Sequence, residues 1–166
     1  MTTAVIVGNP KVGSRTLAAA THLADELGGA DHVIDLAEHA GELFDYGSTT
    51  VAALVEQVRG SDLVIVASPT FKATYTGLLK SFLDWFPFDG LAGTTAVPVM
   101  LGASPIHALA PEQGLRQLLV ELGAAVPTRA LYLIDSAYDE QALYAKWMEA
   151  ARPRLAHLTS TRQAVS

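Results

Sequence analysis

The sequence predicts an α/β domain in which a five-stranded parallel sheet lies between two layers of helix. Five short apolar runs stand at about residues 4–8, 32–36, 62–67, 95–101 and 126–133. Helical stretches follow them at about 15–28, 48–59, 76–85, 111–122 and 139–157. The strand-like runs, such as Leu63-Val64-Ile65-Val66-Ala67, are continuous rather than alternating. Continuous Val, Ile and Leu mark strands buried on both faces, the habit of a parallel sheet. Right-handed crossovers then place helices on each side. Five strands fit the doubly wound order 2-1-3-4-5.

Each element has its own punctuation. The first strand, Ala4-Val5-Ile6-Val7, ends in a glycine loop. Ser14 can cap the first helix and Gly28-Gly29 ends it. Ser48 or Thr49 can cap the second helix, and Gly60 ends it. Pro111 suits the first turn of the fourth helix, and Gly123 follows its end. No internal repeat, low-complexity segment or linker interrupts the chain, so residues 1–166 read as a single domain. The last residues, roughly 158–166, are small and polar and are expected to be disordered.

Composition narrows the function. A chain of 166 residues that is 50% hydrophobic, with a mean hydropathy of +0.28, can bury a substantial core. No apolar run approaches the ~18 residues of a membrane span, and the N-terminal run is too short for a signal peptide. The absence of cysteine excludes disulfides, thiolate catalysis and cysteine metal sites. A cytoplasmic location is expected. The net charge of −6 and isoelectric point near 5.2 argue against a general nucleic-acid binder.

Two loops carry the chemistry. Gly8-Asn9-Pro10-Lys11-Val12-Gly13-Ser14-Arg15-Thr16 joins the first strand to the first helix. Such a loop aims N–H groups and the helix dipole at an anion. Ser14 and Thr16 add hydroxyls, and Arg15 adds a planar cationic fork. Gly8 to Gly13 matches half of a P-loop, but Ser14 and Arg15 stand where Lys and Ser/Thr belong, which excludes a nucleotide triphosphatase. The dinucleotide pattern G-x-G-x-x-G is absent too. A plain βα turn with a Ser cap is the simpler alternative for this loop. The second segment runs from Ser68-Pro69-Thr70-Phe71-Lys72 through Ala73-Thr74-Tyr75-Thr76-Gly77-Leu78-Leu79-Lys80. It puts a proline, hydroxyls and an aromatic ring at a strand's carboxyl end, where open α/β sheets bind ligands. Together the loops point to a phosphorylated, planar ligand.

Taken in order, the motifs resemble the NAD(P)H-dependent FMN reductase family of flavodoxin-like proteins, over roughly residues 4–135. The first loop is similar to that family's G-S-x-R-x-x-S-(R/x)-(S/T) pattern. The second, Ser68 through Asp84, is similar to its S-P-x-Y-K-x-x-x-x-G-x-L-K-x-x-L-D run. Leu101-Gly102-Ala103-Ser104-Pro105-Ile106-His107 resembles its glycine/serine loop after the fourth strand, and Leu115 through Ala124 also fits. The resemblance implies a flavodoxin-like three-layer sandwich that binds FMN, with NADPH or NADH as co-substrate. It implies that Ser14, Arg15 and Thr16 hold the FMN phosphate, with Asn9 and Lys11 as donors in place of the usual Ser and Arg. It implies that Pro69, Thr70, Phe71 and Lys72 meet the ribityl chain and ring edge, and that Gly102 and Ser104 flank the ring's polar edge. Phe71 replaces a frequent Tyr. Gln113 stands where some two-component members carry a Tyr beside the flavin, which argues against flavin shuttling.

The expected activity is hydride transfer from a nicotinamide nucleotide to flavin, with reduced flavin or electrons then supplied to an acceptor such as a partner monooxygenase. Flavin carries the redox step, so no catalytic triad is required. An FMN-retaining quinone or azo-type reductase and a flavodoxin-type electron carrier are the alternatives. His107 lies near the third loop and could relay a proton, although a structural loop histidine is the plainer reading. His22, His32, His39 and His157 share no metal-ligand spacing, and no metal is expected. Trp85-Phe86-Pro87-Phe88, with the apolar third helix, is expected either to cover the flavin or to join copies into a homodimer or homotetramer.

Overall fold

The computed structural model describes residues 1–156. The tail expected to be disordered and His157 lie outside the described residues. Five strands, β1 (Thr3–Val7), β2 (His32–Asp35), β3 (Leu63–Pro69), β4 (Thr95–Gly102) and β5 (Leu131–Ile134), form one sheet. All pairings are parallel and the order is β2-β1-β3-β4-β5. The sheet is the flavodoxin-like one that the apolar runs imply.

Alternate residues of each strand feed opposite cores. On one face Ile6, Val64, Val66 and Met100 meet α2 (Thr49–Arg59), α3 (Gly77–Leu83) and α4 (Arg116–Glu121), through residues such as Val55, Phe82 and Leu119. On the other face Val5, Val7, Ile65 and Val99 meet α1 (Arg15–Glu26) and α5 (Gln141–Leu155), through Leu23, Ala24, Tyr144 and Met148. The central strands are almost wholly buried, which is why their sequence shows no polar alternation.

The helix starts follow their caps. Ser14 Oγ accepts the Leu17 N–H, Ser48 Oγ accepts that of Val51, and Thr76 Oγ1 accepts that of Leu79. Single 3-10 turns follow β2, β4 and β5 at Leu36–His39, Pro105–His107 and Asp135–Ala137, three short elements absent from the expected helix series.

Two elements depart from expectation. The fifth strand is shorter than the apolar run from 126 to 133. Arg116 donates to the Val126 and Thr128 carbonyls, and Glu112 accepts the Ala130 N–H at 2.7 Å. Residues 126–130 are therefore tied to the α4 region, and a lone bridge of Thr95 to Ala125 precedes the strand proper. The fourth helix is also not one piece. Pro111–Leu115 winds as a π-helix before α4 begins at Arg116.

Candidate cofactor site

The carboxyl ends of β1, β3 and β4 bring the three sequence motifs side by side, because β3 lies between the other two. Gly8 leaves β1 and donates to the Ala67 carbonyl of β3 at 2.8 Å. A Cβ on Gly8 would sit 2.4 Å from Leu79 Cβ, so only glycine lets α3 pack this close to the loop. The Thr76 hydroxyl donates to the Gly8 carbonyl, locking the first loop to the second.

The rest of the first loop is braced from within. Asn9 Nδ2 donates to Thr16 Oγ1 at 2.9 Å, and Asn9 Oδ1 accepts the Lys11 N–H at 2.9 Å. Thr16 thereby keeps its hydroxyl proton for another acceptor. Gly13 has a φ of +64°, in the left-handed region, and gives its N–H to Asp35 Oδ2 at 3.0 Å. Arg15, the first residue of α1, ion-pairs with Asp135 and lies 5.9 Å from the Tyr138 ring centroid. Lys11 is exposed at the loop's edge.

The second loop is a strained hairpin. Ser68, fully buried, donates to the Pro69 carbonyl at 2.8 Å and accepts the Thr76 N–H at 3.0 Å. Phe71 and Thr74 exchange backbone hydrogen bonds of 2.8 and 3.2 Å across Lys72 and Ala73. Those two residues have φ of 53° and 65°. Positive φ at both central positions is the signature of a type I′ turn, usually Asn-Gly. Left-handed backbone costs a residue with a Cβ roughly 1–2 kcal/mol. The turn holds Phe71 outward, half exposed at 51%.

The third loop rests on a residue outside the sequence motifs. Tyr132 of β5 donates its hydroxyl to the Ser104 carbonyl at 2.7 Å. Its Oη would lie 2.0 Å from a Cβ on Gly102, so any side chain there would have to displace the Tyr132 ring or the strand end. Thr70 Oγ1, 3.3 Å from the same point, is buried without a hydrogen-bond partner. Burial pushes the Tyr132 hydroxyl above its usual range, and the Thr70 side chain beside it pulls weakly the other way. Ser104 Oγ caps the following 3-10 turn by accepting the Ile106 N–H. Gly114 brings the π-helix against Thr74 and Tyr75, and Gln113 is exposed. π-helical turns are rare and recur at functional sites.

A profile of the NADPH-dependent FMN reductase family matches residues 1–139. The chain belongs to that family. The chain is 30% identical over 137 residues to FMN reductase (NADPH) of Escherichia coli K12, covering 79% of this chain and 72% of that protein. It is 30% identical over 156 residues to an FMN-dependent NADPH-azoreductase of Staphylococcus haemolyticus, covering 84% and 82%. Among solved structures, an NADH:FMN oxidoreductase in its apo form superposes with a TM-score of 0.84 at 30% identity, over 93% of this chain and 89% of the other.

A concavity also lies away from these three loops. A cavity of about 500 Å³ opens at the amino ends of the strands, between Met1, Leu27, Arg152 and Leu155, where the described chain stops at Ala156. It has neither the hydroxyls nor the glycine cradles of the three loops. Among the described residues no group of three or more His, Asp or Glu could hold a metal ion.

Sequence reasoning missed Tyr132, Asp135 and Tyr138. None belongs to a loop motif, because each reaches the site from β5 or the turns after it. The one available signal was a tyrosine in a short strand beside a strand ending in glycine. Trp85 and Phe86 are placed away from a flavin-covering role. The Trp85 indole donates to the Leu43 carbonyl and stacks on Tyr46, and Phe86 is buried edge-on against Phe82. Phe88 of that stretch is strongly exposed, and Pro87 beside it is exposed too.

Proposed function

We propose that this protein takes hydride from NADPH or NADH onto FMN and supplies reduced flavin, or its electrons, to an acceptor. The observation that carries the reading is the convergence of three matched loops on adjacent strand ends. One is braced for an anion, one offers hydroxyls and an exposed ring, and one is a glycine/serine loop held by Tyr132. FMN has a phosphate, a hydroxylated chain and a flat ring, so the donor set fits it group by group. The unpaired Thr70 hydroxyl is the local feature that a ligand would complete.

In this reading Ser14, Arg15 and Thr16 hold the phosphate, with Asn9 and Lys11 shaping the loop. Pro69, Thr70, Phe71 and Lys72 line the ribityl chain and ring edge. Gly102 and Ser104 would lie beside the polar edge of the ring. FMN held there would supply the redox chemistry, and the chain's own residues would bind and orient it. The chain itself binds, orients and keeps one ring face open; it supplies no nucleophile. The type I′ turn fixes Phe71 at the rim, and Tyr132 fixes the Ser104 carbonyl so that the Gly102 loop keeps its path.

A second reading, an FMN-retaining azo or quinone reductase, is supported by the azoreductase relative. A partner monooxygenase would take the reduced flavin in the first reading. We also place the protein in the cytoplasm, where its nicotinamide co-substrate resides, and no helix among the described residues is long and apolar enough to cross a membrane. A homodimer or homotetramer is supported by exposed Phe44, Phe88, Ile106 and Leu109. Titration of FMN, followed by flavin fluorescence, tests the site: binding in the micromolar range is expected, and no change up to high micromolar FMN would refute it.

A further inference from the structure

The phosphate loop contains its own competitors. Arg15 is the sole cation in the first turn of α1, and its guanidinium is committed to the Asp135 carboxylate, 120 residues away in the chain. The Tyr138 ring flanks the same guanidinium. The N–H of Gly13, just before the Ser14 cap, is held by a second carboxylate, Asp35. Two of the loop's donors therefore already end on anions.

The two carboxylates differ in how firmly they sit. Asp35 is 7% exposed and also accepts the Ala37 N–H at 3.3 Å, so it is a fixed part of the loop. The Arg15 and Asp135 side chains are 58% and 44% exposed, so their pair is screened by water and easily parted. A dianionic phosphate arriving at Arg15 must displace Asp135 or share the guanidinium with it.

We propose that Asp135 is an internal competitor for the flavin phosphate, and that it makes FMN an exchangeable substrate rather than a tightly held group. The proposal rests on the FMN-reductase reading above. Its signature is selectivity. Competition at Arg15 weakens FMN, which carries the phosphate, and leaves riboflavin alone. Were Asp135 instead there to aim Arg15 at the phosphate, its removal would weaken FMN.

The test is equilibrium titration of the full chain with FMN and with riboflavin, followed by flavin fluorescence, for the wild type, Asp135→Asn, Arg15→Ala and the double variant. Asp135 is on the surface, and the isosteric amide keeps the fold. Asp135→Asn is expected to tighten FMN about two- to fivefold, the range an exposed ion pair spans, with riboflavin unchanged. The gain should vanish in the Arg15→Ala background and shrink in high salt. An unchanged or weakened FMN affinity in Asp135→Asn, or an equal gain for riboflavin, overturns the proposal while the FMN reading stands. A wild type that binds neither flavin overturns both.

Discussion

Gly102 and Tyr132 make the closest approach in the site, and each explains the other. With Tyr132 Oη 2.0 Å from where a Cβ would stand, Gly102→Ala must push the ring or the strand end aside. Overpacking of this kind costs about 1–3 kcal/mol. Urea unfolding of Gly102→Ala should show a lower midpoint at unchanged slope, partly recovered by adding Tyr132→Phe; a midpoint equal to wild type would contradict the packing described. Arg15 gives a different residue-scale expectation. A hydrogen bond to a charged group contributes roughly 1.5–3 kcal/mol, so Arg15→Ala should weaken FMN about tenfold or more with little effect on riboflavin. Equal losses for both flavins would place Arg15 off the phosphate. Gly8, Ser14 and Gly102 were legible in the sequence, because glycine and small hydroxyl residues at strand ends announce tight loops. Asp135 and Tyr132 were not, because their roles depend on which strands the fold makes neighbours.

At the scale of elements, the Phe71–Thr74 hairpin is the least comfortable backbone in the described chain. Lys72 and Ala73 occupy positions that prefer Asn-Gly. Replacing the pair, Lys72→Asn with Ala73→Gly, should stabilise the protein by about 1 kcal/mol, raising Tm by about 2–4 °C for a chain of this size. A fall in Tm would mean that the lysine and alanine side chains contribute more than the strain costs. The sequence identified this segment as a site loop but not as a hairpin, since neither residue signals positive φ. The Glu112–Arg116 clamp similarly explains why β5 starts late: a side-chain donor, Arg116, and a side-chain acceptor, Glu112, captured backbone that apolar character had assigned to a strand. Burial alone would raise the Glu112 carboxyl, but hydrogen bonds from Arg116 and the Ala130 N–H, with the charges of Arg116 and Arg129, outweigh it and hold the group below its ordinary value. A depressed folded value means stability that is present at neutral pH and lost as pH falls below about 4.5. The stability gap between wild type and Glu112→Gln should therefore narrow as pH drops from about 6 to about 3. A gap independent of pH would remove the charge from the account.

For the whole molecule, the parallel sheet followed from largely continuous apolar runs such as Leu63 to Ala67, which mark strands buried on both faces, whereas its order was inferred from the strand count and the site loops. The surplus of aromatic residues near the third helix was harder to place. Trp85 and Phe86 are absorbed within the chain, against Leu43, Tyr46 and Phe82, which leaves Phe88 and the Phe44, Ile106 and Leu109 side chains to support self-association. Light scattering at micromolar concentration should give a dimer or tetramer mass, and a monomer would refute the assembly. The central claim concerns chemistry, and anaerobic stopped-flow mixing of the FMN-loaded protein with NADPH or NADH tests it most directly. The account predicts bleaching of the oxidised flavin band near neutral pH with no other protein present. If both nucleotides fail while dithionite bleaches the band, the protein is an electron carrier and not a reductase.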